Sequence, residues 1–370
     1  MIVAERESAL ALARVEVRAL PLYDPDASPC VVDVSDNVNL WGSPPAALRA
    51  LTDGHAALVQ HYPSLYSPNL RDAVLTYLGL SRTSGIGVVT GCGSDDVLDA
   101  AMRAFGNAGD EIVFAAPTFP MIPIFARLNG LVPVALPMGA HYEVDPERLV
   151  DQRAKITYLC TPNNPTSTAM SREAVEYVVE HASGLVILDE AYAEFAPETF
   201  SMLAARSERL LVTRTFSKAF GLAGLRVGYG VGSSDVVDLI TRARGPYRVN
   251  AIAERVAFAV LDTGPDALGW VAEHAALVVT LRERMTTALC ELGLEPAPAA
   301  GNFVFVPTSR APALARSLRE RGVLVRAFSG LPQNVAALRA AKGHALRIGI
   351  GPWDIMERVL ATLGEALACA

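Results

Sequence analysis

From residue 86 onward, short apolar runs alternate with longer stretches whose apolar residues recur at helical spacing. The runs at 87–90, 111–115, 132–136, 156–160, 185–188, 210–213 and 227–231 are short, rich in Val, Ile and Leu, and bounded by Gly, Pro, Asn or Ser. Such runs predict buried strands. The intervening segments 95–105, 120–129, 172–181 and 235–262 predict helices, the last broken at Gly245-Pro246, and Ser94 is placed to cap the first. Strands alternating with helices imply an α/β chain built on a mostly parallel sheet, with ligands bound at the carboxyl ends of its strands. The polar clusters Gly91-Cys92-Gly93-Ser94, Pro117-Thr118-Phe119, Thr161-Pro162-Asn163-Asn164-Pro165-Thr166-Ser167 and Asp189-Glu190 all fall at such ends.

The flanks have a different texture. Residues 4–18 predict one amphipathic helix, followed by an irregular arm to Pro45 and helices at 45–52 and 69–79. After about residue 263 come a long helix, 268–291, with Trp270, His274, Val278, Met285 and Leu289 at helical spacing, then a Pro/Ala linker at 296–300. A strand at 302–306, a helix at 311–321, strands at 323–327 and 345–350 and a last helix at 353–368 complete an α+β segment. The expected division is an arm over 1–45, packed on the small domain and the active site, a large domain over 46–262 and a small domain over 263–370.

Composition narrows the classes. At 370 residues, 51% hydrophobic and 19% charged, the chain is globular and long enough for two domains. A net charge of −7 without a basic block argues against a nucleic-acid partner. No apolar run reaches the ~20 residues that span a bilayer, and the charged start, Glu5-Arg6-Glu7, is unlike a secretory signal. Five scattered cysteines read as free thiols in a reducing compartment, so a cytoplasmic location is expected. The histidines pair with no other His or Cys at ligand spacing, so no metal is expected.

The chain has three lysines, and one of them, Lys218, sits in Thr215-Phe216-Ser217-Lys218-Ala219-Phe220-Gly221-Leu222-Ala223-Gly224-Leu225-Arg226. Hydroxyls and an arginine there can hold an anion, small residues let backbone approach it, and a lysine so placed suits a Schiff base with an aldehyde. Asp189 closes an apolar strand, where a carboxylate needs a partner.

Together with Pro162-Asn163-Asn164-Pro165-Thr166 and Leu188-Asp189-Glu190-Ala191-Tyr192, this segment resembles the fold-type-I aminotransferases that use pyridoxal 5'-phosphate (PLP), and within them the histidinol-phosphate aminotransferase family. The resemblance runs from about residue 30 to 365. It implies a seven-stranded, mostly parallel sheet in a large PLP-binding domain and a smaller α+β domain. Lys218 would bind PLP covalently and then move protons, Asp189 would pair with the pyridine nitrogen, and Asn164 and Tyr192 would bond the ring oxygen. Phe119 would stack on the ring. Gly93, Ser94 and Asp95 at a helix start, with Thr215, Ser217 and Arg226, would hold the phosphate. Tyr62 would reach it from the second subunit of a homodimer. Arg347 would clamp a substrate carboxylate and Arg326 would face the far end, while Asn37 and Tyr23 lie in the arm over the pocket.

The expected reaction passes an amino group from a donor, foremost L-histidinol phosphate, to a 2-oxo acid such as 2-oxoglutarate. The alternatives are an aromatic or specialised-pathway amino acid as donor, or a lyase like the threonine-phosphate decarboxylases. The arm departs from the family's Asn-Glu-Asn-Pro as Asn37-Val38-Asn39-Leu40 and brings Trp41 toward the expected substrate mouth. Ser167 stands where Gly is usual, and the loop between Arg326 and Arg347 is long.

Overall fold

The computed structural model describes residues 9–20, 30–53, 59–81, 85–262 and 265–369. Its strands in chain order are β1 (Val32–Asp33), β2 (Ile86–Gly91), β3 (Glu111–Ala116), β4 (Val132–Pro137), β5 (Ile156–Cys160) and β6 (Leu185–Asp189). They continue with β7 (Leu210–Thr215), β8 (Gly228–Ser233), β9 (Phe303–Pro307), β10 (Val323–Leu324), β11 (Arg326–Phe328) and β12 (Ala345–Gly349). Seven form the main sheet in the order β2-β8-β7-β6-β5-β3-β4. The pairs β3/β4, β3/β5, β5/β6 and β6/β7 are parallel, and only β8 runs antiparallel to its neighbours β2 and β7. Every residue of β5, β6 and β7 is buried, because helices cover both faces of the sheet. On one face Ile156, Tyr158, Leu185 and Ile187 pack with Val97, Leu98 and Met102 of the helix Gly93–Phe105. On the other, Leu159, Val186, Leu188 and Val212 join a core that continues into Phe303, Val306, Leu346 and Ile348.

The parallel pairing brings the carboxyl ends of β2, β3, β5, β6 and β7 to one edge. A three-stranded antiparallel sheet, β11-β12-β9, stands beside that edge, and β1 from the arm pairs in parallel with β10. The long helix Pro265–Glu291 buries Val271, Ala275, Val278, Met285 and Leu289 against the larger core.

Four expectations are corrected. The single helix over 4–18 is two short helices, Ala9–Leu12 and Val15–Arg18, with extended backbone at Arg14 (4–8 lie outside the described residues). Leu12, Val15 and Val17 are exposed, so no continuous apolar stripe is buried to reward one helix. The strand over 323–327 is two: β10 pairs with the arm, while Arg326 opens β11 in another sheet. Ser94 does not cap its helix; the N-cap is Cys92, whose N–H donates to the Asp96 carboxylate at 3.3 Å. Two short helices, Pro146–Asp151 and Ala336–Ala340, occupy stretches read as loop.

Candidate active site

The strand ends enclose a cavity of 460 Å³. Lys218 reaches it from the turn that follows β7, where Gly221, at a φ of 66°, passes so close to Gly42 that a Cβ would lie 1.9 Å from its carbonyl oxygen. Only glycine fits there, and the contact fixes the turn against the arm. The Lys218 ammonium donates to the Asp36 carbonyl at 3.0 Å and lies 5.8 Å from the Tyr192 ring centre. Burial lowers its pKa to about 8, Arg347 and Arg226 push the same way, and Asp36 and Asp95 oppose them.

Asp189 ends β6 and lines the same cavity. It is 3% exposed, and no lysine or arginine among the described residues forms an ion pair with it. Its carboxylate accepts the Tyr158 phenol at 2.8 Å and the Ala191 N–H at 3.1 Å. Desolvation nevertheless raises its pKa to about 6. A buried carboxylate left this way is suited to a cationic ring nitrogen.

At the far wall the helix Gly93–Phe105 opens with Gly93, Ser94 and Asp95, all lining the cavity. A Cβ on Gly93 would sit 2.8 Å from an Arg226 guanidinium nitrogen, so the glycine makes room for that cation. Arg226 contacts the Asp95 carboxylate at 3.3 Å, and the Thr215 hydroxyl accepts the Ser217 N–H at 3.1 Å. A helix N-terminus, two hydroxyls and a guanidinium converging on one space form an anion cup. Asp95, raised by desolvation against the pull of Arg226, is the one acidic group in it.

Opposite the cup, Arg347 projects from β12, buried, with one nitrogen donating to Asn164 Oδ1 at 2.7 Å and another to the Ser35 carbonyl at 2.5 Å. The Tyr192 phenol accepts Asn37 Nδ2 at 3.2 Å, and the Asn37 carbonyl accepts Asn302 Nδ2 at 3.0 Å. Burial pushes Tyr192 up to about 12, so it remains a neutral phenol at physiological pH. Phe119 stands in the wall, as do Met121 and Cys160.

Residues 29–359 match the model of the aminotransferases of class I and II. The chain belongs to that family. It is 30% identical over 363 residues to a histidinol-phosphate aminotransferase of Caldanaerobacter subterraneus subsp. tengcongensis, covering 96% of this chain and 99% of that one. A relative of the same description from Roseiflexus castenholzii is 35% identical, covering 90% and 89%. Among solved structures, a histidinol-phosphate aminotransferase from Sinorhizobium meliloti in complex with pyridoxal-5'-phosphate superposes with a TM-score of 0.84 at 25% identity, over 99% of this chain and 98% of that one.

Most residues singled out in this aminotransferase from sequence gather on the one cavity: Asn37, Gly93, Ser94, Asp95, Phe119, Asn164, Asp189, Tyr192, Thr215, Ser217, Lys218, Arg226 and Arg347. Tyr62 and Arg326 do not line it. Tyr62 is 83% exposed and stacks on Tyr247 with ring centres 4.9 Å apart. Arg326 stands opposite Arg347 in the β11/β12 register. Tyr23 lies outside the described residues. Trp41 does not reach the mouth either: it packs edge-on against His274, 5.9 Å between ring centres, and that ring stacks on Trp270. Ser167 replaces the usual glycine at a φ of 66°, and its hydroxyl both accepts the Gly301 N–H at 2.9 Å and donates to the Phe303 carbonyl at 2.8 Å. The long loop after β11 packs Leu331, Val335 and Leu338 against Phe305. Sequence reasoning missed Tyr158, Met121, Asp36 and Asn302. Tyr158 lies inside a run that reads as core, and only its hydroxyl, two residues from the strand end, hinted otherwise.

Proposed function

We propose that this chain is a PLP-dependent aminotransferase whose amino donor is L-histidinol phosphate and whose acceptor is a 2-oxo acid such as 2-oxoglutarate. The carrying observation is that Lys218 and the ion-pair-free, buried Asp189 face one cavity that ends in an anion cup. When bound, PLP supplies an aldehyde that condenses with amines and a protonated ring that withdraws electrons from the neighbouring bond. The residues present fit that group. Lys218 would hold the aldehyde carbon, Asp189 the ring nitrogen, Tyr192 and Asn164 the ring oxygen, Phe119 a ring face. Gly93, Ser94, Thr215, Ser217 and Arg226 would hold the phosphate.

Lys218, half neutral near pH 8, has the proton affinity to take the hydrogen from the donor's Cα and return it elsewhere. Asp189 stays ionised beside a cation and so keeps the ring protonated. Arg347, with its planar fork, receives the carboxylate of the oxo acid. The histidinol-phosphate part rests on the relatives, and Arg326 is the cation proposed for the donor's phosphate. The proposed enzyme is a homodimer in which Tyr62 reaches the phosphate of the partner's site; its 83% exposure, close in sequence to exposed Val59 and Leu65, supports this. We keep the division at residues 45 and 262 as the proposed domain limits.

None of the described helices is long and apolar enough to cross a membrane. The proposed location is the cytoplasm. The test is a half-reaction screen: purified enzyme loaded with PLP is mixed with candidate amines, and loss of the cofactor's absorption is followed. Histidinol phosphate should react at least about tenfold faster than unrelated amino acids. Equal rates would remove the donor and leave the class standing, whereas release of carbon dioxide would replace transamination with decarboxylation.

A further inference from the structure

Tyr158 is buried in the middle of β5, 1% exposed, among side chains that a phenylalanine would suit equally. Its register partner on β6 is Ile187, and Cys160 is the partner of Asp189. Side chains of one parity share a face, so Tyr158 and Asp189 meet diagonally on the face covered by the helix Gly93–Phe105. The phenol oxygen lies 2.8 Å from Asp189 Oδ2, and the other oxygen, Oδ1, takes the Ala191 N–H at 3.1 Å. Each carboxylate oxygen therefore takes one of these two donors, which fix its plane, and the Thr213 hydroxyl, on the β7 residue paired with Asp189, also favours the charged form. A buried phenol without an acceptor would be costly, and the partner it has is the acid at the cavity floor.

We propose that Tyr158 is a positioning residue for Asp189: its O–H orients the carboxylate toward the cofactor ring and keeps it ionised when the pocket is empty. The proposal rests on the PLP reading above. Burial and the neighbouring Asp189 raise the phenol's own pKa well above its ordinary value, so it donates and does not compete as an anion. The other ionisable groups facing Asp189 cannot take its place. Cys160, on the same strand, is held as a neutral thiol by burial, Tyr192 is a neutral phenol bonded to Asn37, and Asp95 repels. Lys218 shares the cavity but is engaged by the Asp36 carbonyl.

The experiment measures PLP dissociation constants against pH for the full-length protein and for Tyr158→Phe, with thermal melting as a separate record of folding. Binding to Asp189 requires the carboxylate, so affinity falls as pH drops through its pKa in the empty protein. Loss of the phenol donor should move that acid limb upward by about one pH unit, weakening binding about threefold near pH 6.5 and about tenfold at pH 5. Site-specific 3-fluorotyrosine at position 158, a stronger donor of nearly the same shape, should move the limb downward, so the test does not depend on Tyr158→Phe folding. A merely structural tyrosine would change the melting temperature and leave the limb in place; that result, or constants within twofold at every pH, overturns the proposal. Failure of the unaltered chain to bind PLP would remove the functional reading and this proposal together.

Discussion

Burial works against the charged forms of both Asp189 and Lys218. An aspartate with its pKa lifted to about 6 binds a proton more readily folded than unfolded. Its contribution is therefore favourable at low pH and is lost as pH rises from about 4 through 6. At pH 7.5 the ionised, buried carboxylate costs up to ~3 kcal/mol. Asp189→Asn should stabilise the PLP-free protein by ~1–3 kcal/mol in urea melts at pH 7.5, a gain that disappears toward pH 4. The same change should lower transamination at least about 100-fold, because the ring nitrogen loses its counter-charge. Lys218 is displaced downward by burial, so its neutral, nucleophilic form grows as pH rises toward 8. The rate of covalent PLP capture by the empty protein should climb about tenfold per pH unit below 8 and level off above it, read by stopped-flow absorbance. Lys218→Ala should reduce turnover by at least about 1,000-fold. Persistent transamination would contradict the role given to it.

Between elements, Ser167 is the informative departure. It joins the turn after β5, which carries Asn164, to β9, the strand beside Arg347's β12. Glycine there would relieve a left-handed backbone worth roughly 1 kcal/mol. It would also strip the Gly301 N–H and Phe303 carbonyl of a buried partner, a loss of about 1–3 kcal/mol. The second effect is the larger. Ser167→Gly should lower stability by ~1 kcal/mol in denaturant titration and raise the KM for the oxo acid more than it lowers kcat, since Arg347 and Asn164 lose their common support. A second inter-element device lies behind the floor: Arg214 of β7 pairs with Glu190 at 2.8 Å and Glu194 at 3.6 Å, all buried, while the Tyr77 phenol donates to Glu194 at 3.3 Å. Removing Arg214 alone would strand two acids, so Arg214→Met should destabilise by ~3–5 kcal/mol, measured by melting.

At the scale of the molecule, the proposed pair of chains would complete each other's anion cups through Tyr62, which is exposed and stacked on Tyr247. Lys218→Ala and Tyr62→Ala chains, each weak alone, should regain roughly a quarter of full activity when unfolded and refolded together in equal amounts, because half of the pairs contain one intact site of two. Sedimentation should report a dimer. No recovery in the mixture, with dimers present, would place Tyr62 outside the partner's site.

Much of this molecule could be read before folding was considered. The apolar runs that became β2 to β8 are legible because a strand buried on both faces has few alternatives, and the polar clusters at their ends mark one edge of the sheet. Lys218, Asp189 and Arg226 were legible because their chemistry is conspicuous against small or apolar neighbours. Illegible were contacts that depend on register between strands distant in sequence. Tyr158 looks like core until β5 and β6 are aligned, and Ser167 looks like a weakened turn until β9 is laid against it. The arm is the same case: Arg14 breaks a promising helix, and Trp41 turns to His274 instead of the cavity, because the surface each stretch meets is chosen by the rest of the fold. Local pattern determines which elements exist and which residues carry unusual chemistry. Tertiary packing decides which buried polar group faces which, since hydrogen bonds and desolvation act over a few ångströms that the order of residues does not specify.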